Sequence, residues 1–189
     1  MLDAVLNLTN NLTIRHMKKR FSTIAAFLSW AVLSSSAFAA SGAEETNVTL
    51  QSPTATYSQS NPVPLTPAQA IDGITGGFLG WGIETSNTEQ TAAFETATDV
   101  VTPPNSLFTF KLYFSHFSPT PSVTHTLGRF RLSVTSDPRG EFADGLSTGG
   151  DVTANWVVLQ PVSALSQAGA TLTALEDGSI LASGSSNYL

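Results

Sequence analysis

Leu107-Phe108-Thr109-Phe110-Lys111-Leu112-Tyr113-Phe114-Ser115-His116 is the stretch whose reading decides the fold. Phe108, Phe110, Leu112 and Phe114 occupy alternate positions, with Thr109, Lys111, Tyr113 and Ser115 between them. Successive side chains of a strand point to opposite faces, so this alternation predicts a strand with one face on a core. Gly128 to Thr135 repeats the arrangement, Phe130, Leu132 and Val134 alternating with Arg129, Arg131, Ser133 and Thr135. If the two strands pair through a Ser118 to Val123 loop, their aromatic faces share one side of a sheet. Such a face needs a second sheet to cover it, and the fold expected is an all-β antiparallel sandwich.

The text on either side agrees with short strands and turns. Asn47-Val48-Thr49-Leu50 and Thr54-Ala55-Thr56-Tyr57 are β-leaning runs broken at Ser52-Pro53, and Thr91 to Thr96 is a further strand candidate. Thr66 to Gly73 reads as one short helix, with Thr66 as N-cap, Pro67 at the first helical position and Gly73 just past the end. Five glycines between Gly73 and Gly82 surround Phe78 and Trp81, which lets the backbone approach a side chain or ion closely. After Pro138 the chain becomes glycine- and acid-rich as far as Asp151, a candidate boundary. Beyond it, Trp156 to Leu159 reads as a strand, and Ala170 to Ser183 as a hairpin turning at Glu176-Asp177-Gly178-Ser179. A strand and a hairpin cannot stand alone, so residues 151–189 either dock on the sandwich of residues 46–150 or begin another one.

Composition narrows the function. The 189 residues include 11 Phe and 3 Trp, enough for one core, and no Cys, so neither disulfides nor thiolate metal sites contribute. From Ala40 onward four basic residues, Lys111, Arg129, Arg131 and Arg139, stand against 13 carboxylates, a net charge of −9. A surface of that sign repels phosphate backbones and argues against nucleic acid as a partner.

Residues 1–39 read as a leader. From Met17 a cationic Lys18-Lys19-Arg20 start precedes an apolar run from Phe21 to Leu33 and the small-x-small triplet Ala37-Phe38-Ala39. These are the parts of a secretory signal-peptide helix with cleavage after Ala39. The 13-residue run is short of the roughly 20 residues that cross a bilayer, so no stable membrane span is expected after cleavage. Met1 to His16 reads as an extension upstream of a start at Met17, and residues 40–45 as a flexible arm. The expected location is secreted, periplasmic or cell-surface.

Two segments carry a resemblance. Ala70-Ile71-Asp72-Gly73 followed by Gly80-Trp81 resembles the A-x-D-G-x(n)-W signature of galactose-binding-like jelly rolls, the superfamily of discoidin domains and many carbohydrate-binding modules. His125-Thr126-Leu127-Gly128-Arg129-Phe130-Arg131-Leu132-Ser133-Val134-Thr135 resembles a strand of the discoidin-like domains in planctomycete-type surface proteins that also carry cytochrome-c-like domains. The likeness spans roughly residues 46 to 184 and implies a jelly-roll sandwich. Family members continue for hundreds of residues, which implies a fragment of a larger multidomain surface protein or a stand-alone copy. The chain has no C-x-x-C-H motif, so no haem is expected.

The candidate site residues follow, each with two readings. Asp72 is a possible ligand to a structural Ca²⁺, as the resemblance implies, or a turn cap bonded to backbone amides. Trp81 is a stacking platform for a sugar or a core residue. Arg129 and Arg131, about 7 Å apart on one strand face, suit a carboxylate ligand such as an acidic sugar or pair with neighbouring acids. His125 stands with His116 across the loop between the two aromatic strands as a ligand-facing or a loop histidine. No G-x-S-x-G or H-E-x-x-H motif occurs, and the acids Glu84, Glu89, Asp144 and Asp151 lie in loops. The expected function is therefore a non-catalytic extracytoplasmic module that binds glycan or serves surface assembly. A structural or protein-interaction module is the alternative, and a hydrolase using Glu84 or Asp144 the third reading.

Overall fold

The structure, a computed structural model, describes residues 5–8, 12–16, 44–77, 79–83, 88–102, 106–114 and 127–184; for Val5–Leu8, Leu12–His16 and Glu44 this is the backbone path alone. Among the described residues the chain forms thirteen short strands, all paired antiparallel, and two single-turn 3-10 helices, Pro67–Ala70 and Arg139–Glu141. The strands group into small sheets of two or three members. The described residues are thus mostly strands in small antiparallel sheets with almost no helix, which is compatible with an all-β fold. The signal-peptide helix and most of the arm fall outside the described residues.

Strands β1 (Val5–Leu8) and β2 (Leu12–His16) lie within the segment assigned to the leader, and each is the centre of a sheet. β2 runs between β3 (Glu44–Val48) and β7 (Ser106–Thr109), while β1 runs between β5 (Trp81–Gly82) and β8 (Leu112–Tyr113). The long aromatic strand is therefore two strands, interrupted at Phe110 and Lys111. Its alternation holds across the interruption: Phe108, Phe110, Leu112 and Phe114 are half-buried, while Leu107, Thr109, Lys111 and Tyr113 are exposed. Phe108, Phe110, Leu50 and Val100 pack around buried Val48, with the Phe108 and Phe110 rings 6.3 Å apart.

β4 (Leu50–Ala55) pairs with β6 (Ala92–Thr96) and slips register between Gln51 and Thr54. The sequence reading broke this segment at Ser52-Pro53; the structure carries the strand through the break as a bulge, with Ser52 at a φ of 46°. Proline lacks the N–H that a ladder needs, and a bulge is where a sheet tolerates that loss. Ala55 opens the second core, where Trp81, Ala70, Ile83, Ala92 and Phe94 meet. The helical turn at Pro67 to Ala70 closes one side of it. The Gln69 side-chain oxygen accepts the Thr66 N–H at 2.8 Å, and the Gln69 N–H donates to the Thr66 carbonyl at 3.0 Å.

The pairing expected between the two aromatic strands is not made among the described residues. β9 (Arg129–Phe130) pairs with β13 (Ile180–Ser183), and β10 (Ser133–Val134) pairs with β11 (Val157–Val158). β12 (Thr171–Ala174) and β13 form the hairpin. Alternation specifies which face is buried and leaves the partner open. Strands linked by a tight turn meet at little loop-closure cost, so β13 arrives with β12 already beside it. Strands β11 and β13 thus pair with the Gly128 to Thr135 segment.

The acid- and glycine-rich stretch before Asp151 is a packed loop along β4. Ala55 N–H donates to the Leu146 carbonyl, Gly149 and Gly150 N–H donate to the carbonyls of Thr56 and Ala55, and the buried Thr54 hydroxyl accepts the Gly145 N–H at 2.8 Å. Gly150 leaves no room for a side chain: a Cβ there would stand 2.5 Å from Thr54 Cγ2 and 2.7 Å from the Leu146 carbonyl oxygen. The edge-to-face contact of Phe142 and Trp156, ring centroids 5.5 Å apart, then ties this loop to the tail.

Candidate functional site

Trp81 belongs to the core. It is 6% exposed, and its indole N–H donates to the Tyr57 carbonyl at 2.9 Å. The A-x-D-G helix places Ala70 against it, and Gly82, whose added Cβ would lie 2.7 Å from Leu65 Cδ1, lets the strand lie close to Leu65. An indole this enclosed matches the core reading of Trp81 over the stacking-platform one: the large apolar area is worth more buried than shown to water.

Asp72 is exposed, and its Oδ1 accepts the Ile74 N–H at 2.8 Å across Gly73, which has a φ of 86°. This is the side-chain-to-backbone turn that Asp makes well. A Ca²⁺ here would draw on one carboxylate oxygen already engaged, and the described residues hold no group of three or more acidic or histidine side chains suited to an ion.

Arg129 and Arg131 are brought to different acids. Arg129 donates through Nη2 to Asp177 Oδ2 and through Nε to the Ser179 hydroxyl at 2.8 Å. Asp177 Oδ1 in turn accepts both the Ser179 hydroxyl, at 2.6 Å, and the Ser179 N–H, at 3.1 Å. The Ser179 contacts, with Arg129 adding to them, hold the Asp177 carboxyl down at about 2. This ring of three residues clasps β9 to the hairpin turn. Arg131 Nη2 lies 3.5 Å from Glu89 Oε1, a looser pair at the surface. Each guanidinium thus has a carboxylate neighbour, the pairing with nearby acids that was the second reading of these residues. His125, with His116 and Glu84, lies outside the described residues.

Asp144 spends both oxygens on its own loop: Oδ2 accepts the Asp151 N–H at 3.0 Å and Oδ1 the Leu146 N–H at 2.9 Å. Those two amides, Asp151 first, lower its pKa. A general acid needs a carboxyl pushed the other way, so Asp144 is suited to holding the loop. A shallow cavity of roughly 130 Å³ between Thr46 to Val48 and Thr98 to Val101 is smaller than the ~300 Å³ at which small-molecule pockets begin.

The feature that sequence reasoning passed over is apolar exposure in the tail. Leu165 is 90% and Val162 83% exposed, and Val157 on β11 and Leu181 on β13 also face solvent. They belong to adjoining pieces: the Gly178 turn sits against Val158, Leu159 and Gln160, so closely that a Cβ on Gly178 would be 2.5 Å from Val158 Cγ1. Each of β11 and β12 has a strand partner on one side only among the described residues. Alternation could have flagged Val157 and Leu181, but Val162 and Leu165 lie in a Ser- and Ala-rich connection that reads as an ordinary loop. No protein-family model, no curated protein and no solved structure matches the chain.

Proposed function

We propose that this chain is a non-catalytic, extracytoplasmic assembly module, a jelly-roll sandwich of the galactose-binding-like kind that associates with neighbouring surface polypeptides through its tail. The observation that carries this reading is the exposure of Val157, on β11, and of Val162, Leu165 and Leu181, in a stretch whose strands β11 and β12 each have one strand partner among the described residues. Exposed aliphatic groups next to unpaired backbone rows favour a strand from a neighbour, whose main-chain bonds complete the edge while its side chains cover the apolar groups. The glycan reading draws less support: Trp81 is buried and both arginines are tied to acids.

The neighbour to test first is a second copy. Sedimentation over a concentration series is expected to give association that a Val162→Ser, Leu165→Ser double substitution abolishes, with no saturable retention on a glycan array. A strictly monomeric chain that binds glycans saturably would overturn the reading.

A further inference from the structure

We propose that Asp72-Gly73 is a self-modification site, where the chain rearranges without an enzyme to an isoaspartyl linkage while the fold holds its two other Asp-Gly pairs intact. Asp-Gly occurs three times, at Asp72-Gly73, Asp144-Gly145 and Asp177-Gly178. Each pair makes the same turn. One Asp oxygen accepts the N–H two residues on, from Ile74, Leu146 and Ser179 respectively, and the glycines have φ values of 86°, 80° and 77°. The three sites thus share sequence and local conformation, and they differ in what surrounds them.

The reaction is a ring closure. The glycine nitrogen attacks the Asp Cγ, an N–C bond forms, the Cγ–OH bond breaks, and the amide proton leaves with that hydroxyl as water. Water then reopens the cyclic imide at either carbonyl, which restores Asp or leaves the backbone running through the side chain, with no net change in composition. Glycine favours the closure because no Cβ shields its nitrogen. The step needs an unengaged amide, a carboxyl able to turn toward it, and room for the turn to swing. Asp72-Gly73 meets all three needs: Asp72, Gly73 and Ile74 are exposed, and a Cβ built on Gly73 would have nothing within 4 Å. Among the described residues, neither the Gly73 N–H nor the second Asp72 oxygen has a partner. At Asp144-Gly145 the nucleophile is taken, since the buried Thr54 hydroxyl accepts the Gly145 N–H at 2.8 Å, and both Asp144 oxygens accept amides. At Asp177-Gly178 the Gly178 N–H donates to the Leu175 carbonyl at 3.0 Å, and Ser179 and Arg129 hold the carboxylate. Room is lacking there too: a Cβ on Gly178 would stand 2.5 Å from Val158 Cγ1. The bonds to Asp144 and Asp177 also lower their pKa values, which thins the neutral carboxyl that closes the ring.

The test ages the full chain in warm neutral buffer made with heavy-oxygen water, so that every ring opening leaves a heavy oxygen behind. Mass spectrometry then reads label and isomer splitting peptide by peptide. The Asp72 peptide is expected to gain label and to separate into two forms of equal composition. The Asp144 and Asp177 peptides should lag by roughly fivefold or more, the effect of one held amide alone. In urea, where those amides are released, the three rates should converge. Asp72→Glu, whose longer arm would have to close a larger ring, should remove the label from its peptide. A native chain that leaves Asp72 unlabelled, labels the three sites equally, or labels Asp144 or Asp177 first overturns the proposal. So does an order of rates that urea leaves unchanged, because the fold would then have no part in it.

Discussion

Residues 46–114 and residues 151–184 are built from the same kind of text and differ in how much of it they cover. The first region gathers apolar groups around Val48 and around Trp81, under the Pro67–Ala70 turn and the loop before Asp151, while Ile74 and Val101 stay exposed. The second forms a hairpin and a single strand that bury Ile180 but leave Leu165 and Val162 almost wholly in water. Hydrophobic content is therefore a poor guide to burial; what decides is whether a second layer is within reach to cover it.

Substitutions should separate the two regions sharply. Trp81→Ala removes the largest side chain of the second core and its bond to Tyr57, and is expected to cost about 3–5 kcal/mol in denaturant unfolding. Leu165→Ala, of similar chemistry on paper, should change stability by less than about 0.5 kcal/mol because it removes no buried contact. A large loss at Leu165 would mean that the tail is covered and would erase the contrast.

Gly150→Ala comes next. The added methyl meets Thr54 Cγ2 and the Leu146 carbonyl, and overpacking of this kind costs roughly 1–3 kcal/mol. Gly140→Ala meets nothing within 4 Å and is the matched control, measurable in the same thermal melts.

The clasp at the hairpin gives a pH signature. Asp177 is held at about 2 against an ordinary value of 3.8, by the Ser179 hydroxyl, then its amide, then Arg129. A folded value below the unfolded one means that the contribution is full above the unfolded value and is lost as pH falls through about 2. Hairpin amide signals should therefore hold from neutral pH to about pH 4 and shift only below it, and Asp177→Asn should flatten that titration. The exposed position keeps the stability change small, which makes a chemical-shift titration the right measurement.

The sequence made the strand class legible because period two survives folding: Phe108 to Phe114 alternate in burial as they do in the text. The short helix was legible from Thr66, Pro67 and Gly73, although it is a single 3-10 turn ending at Ala70; the second such turn, Arg139–Glu141, carries no comparable signal. Strand partners were not legible. Nothing in Phe130 or Val134 says that they meet Ile180 and Val157 instead of the preceding aromatic strand. The surroundings of the candidate residues were not legible for a related reason: a Trp after a glycine-rich loop and two arginines on one face describe chemistry, while burial and nearby acids decide whether that chemistry is shown or used within the fold. The exposure of Val162 and Leu165 left no trace because exposure is set by what does not pack there.

Surface footprinting of the full chain with a small reactive carbene, at rising protein concentration, bears most directly on the claim that the tail is the associating surface. Labelling of residues 157–181 should fall as concentration rises, while labelling around Ile74 and Val101, exposed on the other region, stays constant. Unchanged labelling of the tail, or protection that falls instead on residues 46–114, would contradict the account.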